Sequence, residues 1–150
     1  MKKGFSLLTA IMFIVLIATI GALALRFSTQ TTKETSDVYL KAQAELLAMS
    51  ATEYAILALS AHNHAVNCLD TITATYNGIF NINIELSYIG RNRALGGNLP
   101  PAGAACTRVL ANNIATTDSD FTVVVDTYVE TQANVTTEPI RIHRRTLQKL

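Results

Sequence analysis

From Phe5 to Leu25 the chain carries no charge, and as a helix rising about 1.5 Å per residue this stretch spans roughly 31 Å, the thickness of a bilayer's hydrocarbon core. The following "STQTTKETSD" turns polar at Ser28 but holds neither proline nor glycine, so the pattern predicts that the helix continues. Beyond Asp37, Leu40, Leu47 and Tyr54 recur every seven residues, with Ala44, Ala51, Ala58 and Ala61 on the same side. Lys41, Glu45, Glu53 and Asn63 fall elsewhere, which predicts one buried face. The helix is expected from Phe5 to near Asn63, about 90 Å.

After residue 66 the period changes from helical to two. In "IFNINIELSY", Phe80, Ile82, Ile84, Leu86 and Tyr88 alternate with Asn81, Asn83, Glu85 and Ser87, predicting a strand with one core face and one solvent face. "RNRALGGNLPPAGAA" reads as a loop through its paired glycines and prolines, and "TRVLA" after Cys106 as a short strand. "FTVVVDTYVE" places Phe121, Val123, Val125 and Val129 on one side. "EPIRIHRRTL" is expected to return beside it, with Ile140 and Ile142 inward, Arg141 and His143 outward, and residues 131–139 closing a longish hairpin. Helix first and antiparallel strands afterwards predict an α+β fold, its small sheet lying across the alanine and leucine stripe. The expected divisions are 1–4, 5–25, 26–66 and 67–150.

Composition changes this picture little. Hydrophobic residues make up 49% and charged residues 15%, and twelve basic side chains against eleven acidic ones leave no whole-chain field to attract nucleic acid or an anionic surface. The two cysteines, Cys68 and Cys106, both follow the apolar segment, and an even pair in an exported segment predicts one disulfide. By chain-entropy accounting such a loop contributes about 4 kcal/mol.

The opening segment admits three readings. A secretory signal has a basic start, a shorter apolar core and a small-x-small site, which Ala22-Leu23-Ala24 supplies. An uncleaved anchor needs only the apolar length, with Lys2 and Lys3 on the cytoplasmic side. Third, Lys-Lys-Gly-Phe running directly into a long apolar helix, "KKGFSLL", resembles the leader of type IV pilins and type II secretion pseudopilins. The resemblance covers about the first twenty-five residues.

That resemblance implies cleavage between Gly4 and Phe5 by prepilin peptidase, methylation of the new Phe5 amine, and assembly of the helix with other pilin or pseudopilin subunits on an inner-membrane platform driven by a cytoplasmic ATPase. It places the body of the protein in the periplasm of a bacterium or in an extracellular filament. Most family members carry a glutamate at the fifth position after the cut, where this chain has Thr9; a minor or tip subunit is the kind that typically lacks it. The late-helix proline of many pilins is also missing: none precedes Pro100, and Gly21 is the one weak point. The implied function is a structural subunit, a minor one, of a type IV pilus or a secretion pseudopilus. The alternative is a monomeric exported binding domain, permanently anchored or released by signal peptidase.

Other constellations were weighed against this reading. His62, His64, Cys68 and Asp70 are zinc-type ligands at poor spacing, and oxidation of Cys68 removes one of them. "DSD" at Asp118 to Asp120 lacks the glycine and glutamate of a calcium loop and reads as a turn. Arg141, Arg144, Arg145 and Lys149, with Arg91, Arg93 and Arg108, form a basic face for phosphates or, more simply, a strand edge guarded by charge; no interleaved aromatics support single-strand stacking. "NVT" at Asn134 to Thr136 is a glycosylation tripeptide. No catalytic motif stands out, so neither an enzyme nor a cofactor is expected.

Overall fold

The computed structural model describes residues 3–64, 67–91, 106–114, 121–133, 135–136 and 138–149, with side chains from Leu7 onward. The expectations on Arg93, the glycine-proline loop, "DSD" and Asn134 lie outside the described residues. One helix, α1, runs Lys3–Ala61, and five strands follow: β1 Thr71–Tyr76, β2 Phe80–Gly90, β3 Val109–Ala111, β4 Phe121–Thr131 and β5 Arg141–Lys149. The chain divides into two compact units, Met1–Tyr39 and Leu40–Leu150.

The described part of the first unit is helix alone. Its polar stretch stays helical because its hydroxyls bond back into the helix: Thr29 donates to the carbonyls of Leu25 and Arg26, Thr31 to Phe27, Thr32 to Ser28 and Thr35 to Thr31. Each threonine thereby satisfies its own polar group without leaving the helix.

In the second unit, residues from Leu40 to Ala61 lie on a sheet of order β1-β2-β4-β5, with β3 also pairing β2. Neighbours on the main path are antiparallel, and β3 joins β2 in parallel at Tyr88 and Ile89. This is the expected α+β arrangement. β2 and β4 form the centre, paired from Phe80↔Thr131 to Gly90↔Phe121, and their inner side chains Phe80, Ile84, Leu86, Tyr88, Val123, Val125 and Val129 are buried. Opposite them stand Ala44, Ala48, Ala51, Ala55 and Leu59, the four alanines small enough to let α1 lie close to the strands. Thr52 and Thr127 form a buried polar link across this interface. Thr52 donates its hydroxyl to the Ala48 carbonyl at 2.7 Å and lies 3.0 Å from the Thr127 hydroxyl, which must therefore be the donor to Thr52.

Two expectations need correction. Tyr54 is 60% exposed and Ala61 is exposed, although both were assigned to the buried stripe. A seven-residue repeat drifts by about 20° per heptad on a straight helix, so the buried line follows 3.6-residue spacing through Ala48, Thr52, Ala55 and Leu59 and leaves Tyr54 on its flank. Ser87, assigned to solvent, is buried on the outer face of the sheet, as is Asp126.

β1 was not anticipated. Its hairpin to β2 turns at Asn77 and Gly78, both with positive φ (50° and 66°), and the Ile79 amide donates to the Tyr76 carbonyl at 3.0 Å. Two successive left-handed residues make the tight turn whose twist suits a hairpin, and asparagine followed by glycine is the pair that adopts it most readily.

Candidate functional site

The residues singled out by the sequence fall in two places. Gly4 and Phe5 lie in the first turns of α1, and Thr9, one turn beyond Phe5, is half-buried beside Met12, Phe13 and Leu16, with which it lines a shallow apolar recess. From Leu7 to Phe27 the large apolar side chains are 53% to 71% exposed, all around the helix. This stretch is long and apolar enough to cross a membrane.

Cys68 and Cys106 form the second place. They are joined as a disulfide with Cα atoms 4.9 Å apart, and both are buried. The bridge fastens the segment after α1 to the segment before β3, and polar contacts repeat the fastening. Asp70 Oδ2 accepts from the Thr107 amide at 3.1 Å and from the Thr107 hydroxyl. Tyr88 donates to the Leu69 carbonyl at 2.8 Å and accepts from the Leu69 amide at 3.1 Å; burial pushes its phenol pKa up, against the effect of the Leu69 bond.

His62 and His64 stand at the end of the helix and bond its last turn. The Leu59 carbonyl accepts from the His62 amide at 3.2 Å and from His64 Nε2 at 2.8 Å, so the imidazole does what a C-terminal glycine often does. His64 also meets Phe121 edge to face, with ring centres 4.8 Å apart. Burial lowers its pKa, the Leu59 bond acts the other way, and His62 adds to the lowering. Cys68, in its disulfide, offers no thiolate, and among the described residues no cluster of three metal-binding side chains occurs.

The proposed basic face resolves into ion pairs on the outer face of the sheet. Arg108 meets Glu85 at 2.5 Å, Arg141 meets Glu130 at 3.2 Å, and Arg145 bonds both oxygens of Asp126 at 2.7 and 3.0 Å. Arg144 stands on the opposite face of β5. Asp126 also accepts from His143 Nε2 at 2.7 Å, and His143 stacks on Tyr128 with the rings 4.4 Å apart. Burial alone would raise the Asp126 pKa, but the bonds from Arg145 and His143 outweigh it and hold the carboxyl below its usual range. Arg108, Arg141 and Arg145 are thus paired with acids within their own sheet, and a phosphate would have to displace carboxylates to reach these three.

Sequence reasoning passed over Asp126. The signal was an acid at an outward position of β4 facing a basic strand, which becomes a pair only once the register sets Asp126 opposite Arg145.

Comparison with protein-family models, with curated proteins and with solved structures gave no match. What stands is an α+β protein with a membrane-length apolar helix and a disulfide-fastened sheet.

Proposed function

We propose that the chain is a pilin-like filament subunit. It is made as a precursor, cut between Gly4 and Phe5 by prepilin peptidase and methylated at Phe5. It is then assembled through α1 into a type IV pilus or a type II secretion pseudopilus as a minor subunit. One observation carries the reading: the helix that supplies the alanine row of the sheet-bearing unit is the same unbroken helix whose opening stretch is apolar on every side. Each large apolar side chain kept in water forgoes about 1.5–3 kcal/mol, so this surface needs lipid or other helices around it. A filament subunit uses both in turn, first the inner membrane and then its neighbours' helices. Its sheet-bearing part then stands on the periplasmic side.

Thr9 gives this assembly its particular character. A buried carboxylate stays in an apolar core only when paired, and this helix offers none to a neighbour's terminal amine. Burial and close packing replace that contact.

The test is the intact mass and amino-terminal sequence of the protein recovered, without reductant, from membranes of a host that has prepilin peptidase. The expected chain begins at methylated Phe5 and is two hydrogens light for the disulfide. A chain beginning at Leu25 would be a released exported domain, and one retaining Met1 to Gly4 a simple anchor. Either result refutes the filament reading.

A further inference from the structure

The two outer strands of the sheet are protected very differently. The Leu86 amide donates to the Asp70 carbonyl at 2.9 Å, so within the β1–β2 register the ladder bonds belong to Asp70, Ile72, Ala74 and Tyr76. The backbone N–H and C=O groups of Thr71, Thr73 and Thr75 therefore point away from β2, to an edge that is open among the described residues. The same reasoning from the Thr131 amide, which donates to the Ile140 carbonyl at 3.0 Å, leaves Arg141, His143, Arg145, Leu147 and Lys149 facing the open edge of β5. One edge is thus lined by four basic side chains and the other by three threonines. Charge is what usually keeps an open edge from pairing, and β1, "TITATY", has none.

A second feature lies beside this edge. On the inner face, a groove of about 380 Å³ lies between Ser50, Ala51 and Tyr54 of α1 and Ile72, Ala74, Ile82 and Ile84 of β1 and β2. Tyr54 is 60% and Tyr76 41% exposed, and Ala74 is exposed, so the inner face of β1 is only partly covered by the helix. A strand added to β1 would turn every second side chain to this inner face, beside Ala74 and the β1 side of the groove.

We propose that the β1 edge receives an extended, uncharged segment of another protein chain, carrying small apolar side chains on alternate residues. Thr71, Thr73 and Thr75 supply the ladder bonds, and the groove selects the side chains. A second copy of β1 does not serve. Paired antiparallel, it sets the two Leu40–Ala61 helices running in opposite directions, whereas copies anchored side by side in one membrane carry them in the same direction. Paired parallel through the same edge, it turns its threonine face into the apolar groove. The chain's own segments outside the described residues fit no better, since 92–105 contains Pro100 and Pro101 among glycines and 115–120 contains Asp118 and Asp120. Only the exclusion of the antiparallel copy rests on the membrane reading above; the edge and its groove do not.

The test uses the full chain in detergent micelles and a fluorescein-labelled peptide of alternating threonine and valine, with terminal lysines for solubility. The control peptide has its central valine replaced by proline. Expected are saturable binding of the first peptide only, and slower amide exchange at Thr71, Thr73 and Thr75 with no change at Arg141 to Lys149. Thr73→Pro removes an N–H that β2 does not use, so the hairpin ladder survives while peptide binding weakens by about tenfold or more, and Thr73→Val keeps it. Thr75→Lys, a change on the exposed outer face, provides the same loss by a route that leaves the backbone alone. The proposal is overturned by threonine amides already protected without peptide, which would mean that the chain covers its own edge. It is equally overturned by protection that rises with protein concentration, by absence of binding, or by binding indifferent to both variants.

Discussion

Replacing Asp126 by asparagine isolates the ion-pair cluster of the outer face. The carboxylate is 6% exposed and holds three bonds, two from Arg145 and one from His143. Breaking a buried pair costs about 3–5 kcal/mol when a charge is left stranded. Here the partners are 66% and 44% exposed, so both turn to water once the acid is gone and no stranded charge remains. The loss is then that of hydrogen bonds to a charged group, about 1.5–3 kcal/mol. For a domain of this size that lowers the melting temperature by roughly 10 °C. The pH dependence carries its own sign. A carboxyl held below its unfolded pKa contributes in full above that value, about 3.9, and the contribution is lost as pH falls through the folded value. Thermal unfolding of the full chain in mild detergent, followed by near-ultraviolet circular dichroism, should show wild type well above Asp126→Asn at pH 7 and the gap narrowing as the pH is taken below about 3.9. A gap under about 0.5 kcal/mol at pH 7, the ordinary scatter of surface substitutions, would refute the reasoning. So would a gap unchanged at low pH.

Three further outcomes follow from the same packing. Replacing Cys68 and Cys106 together by serine should cost about 4 kcal/mol, read as a lower urea midpoint with a steeper slope, because the unfolded chain is no longer restrained by a loop of 38 residues. Tyr88→Phe should cost about 1–3 kcal/mol, since both polar groups of Leu69 lose their partner, and faster exchange of the Leu69 amide would report it directly. Ala48→Leu should cost about 1–3 kcal/mol by overpacking against the sheet, whereas Leu46→Ala on the exposed face of the same helix should leave the melting temperature nearly unchanged.

The parts of the fold that could be read in advance are those where one physical pattern acts alone. β2 buries one face and leaves the other partly wet, so Phe80 to Tyr88 alternate visibly, whereas β4 exposes no residue on either face and is legible as a run rich in valine. The long helix announced itself by lacking breakers. β1 hid because Ile72, Ala74 and Tyr76 are only partly covered, so its alternation is of threonines against a mixed set, and Asn77–Gly78 was the sole firm signal. Tyr54 misled because seven residues and two helical turns nearly coincide over a short stretch. Asp126 was invisible for a different reason: its meaning depends on which residue of β5 stands opposite, and register belongs to the assembled sheet.

A row of alanines makes a smooth surface. Such side chains lose no rotamer freedom on burial, but they also offer a neighbouring sheet few ridges by which to distinguish one position along the helix from the next turn. The hydrogen bond from Thr127 to Thr52 is directional where the contacts around it are not, and shifting α1 by a turn would strand the Thr127 hydroxyl in the core, while Thr52 keeps its bond to Ala48. It therefore acts as an indexing pin, much as a lone polar residue fixes the alignment of a coiled coil at some expense in stability. Removing both hydroxyls would leave an interface as tight as before that no longer knows where along the helix to stop.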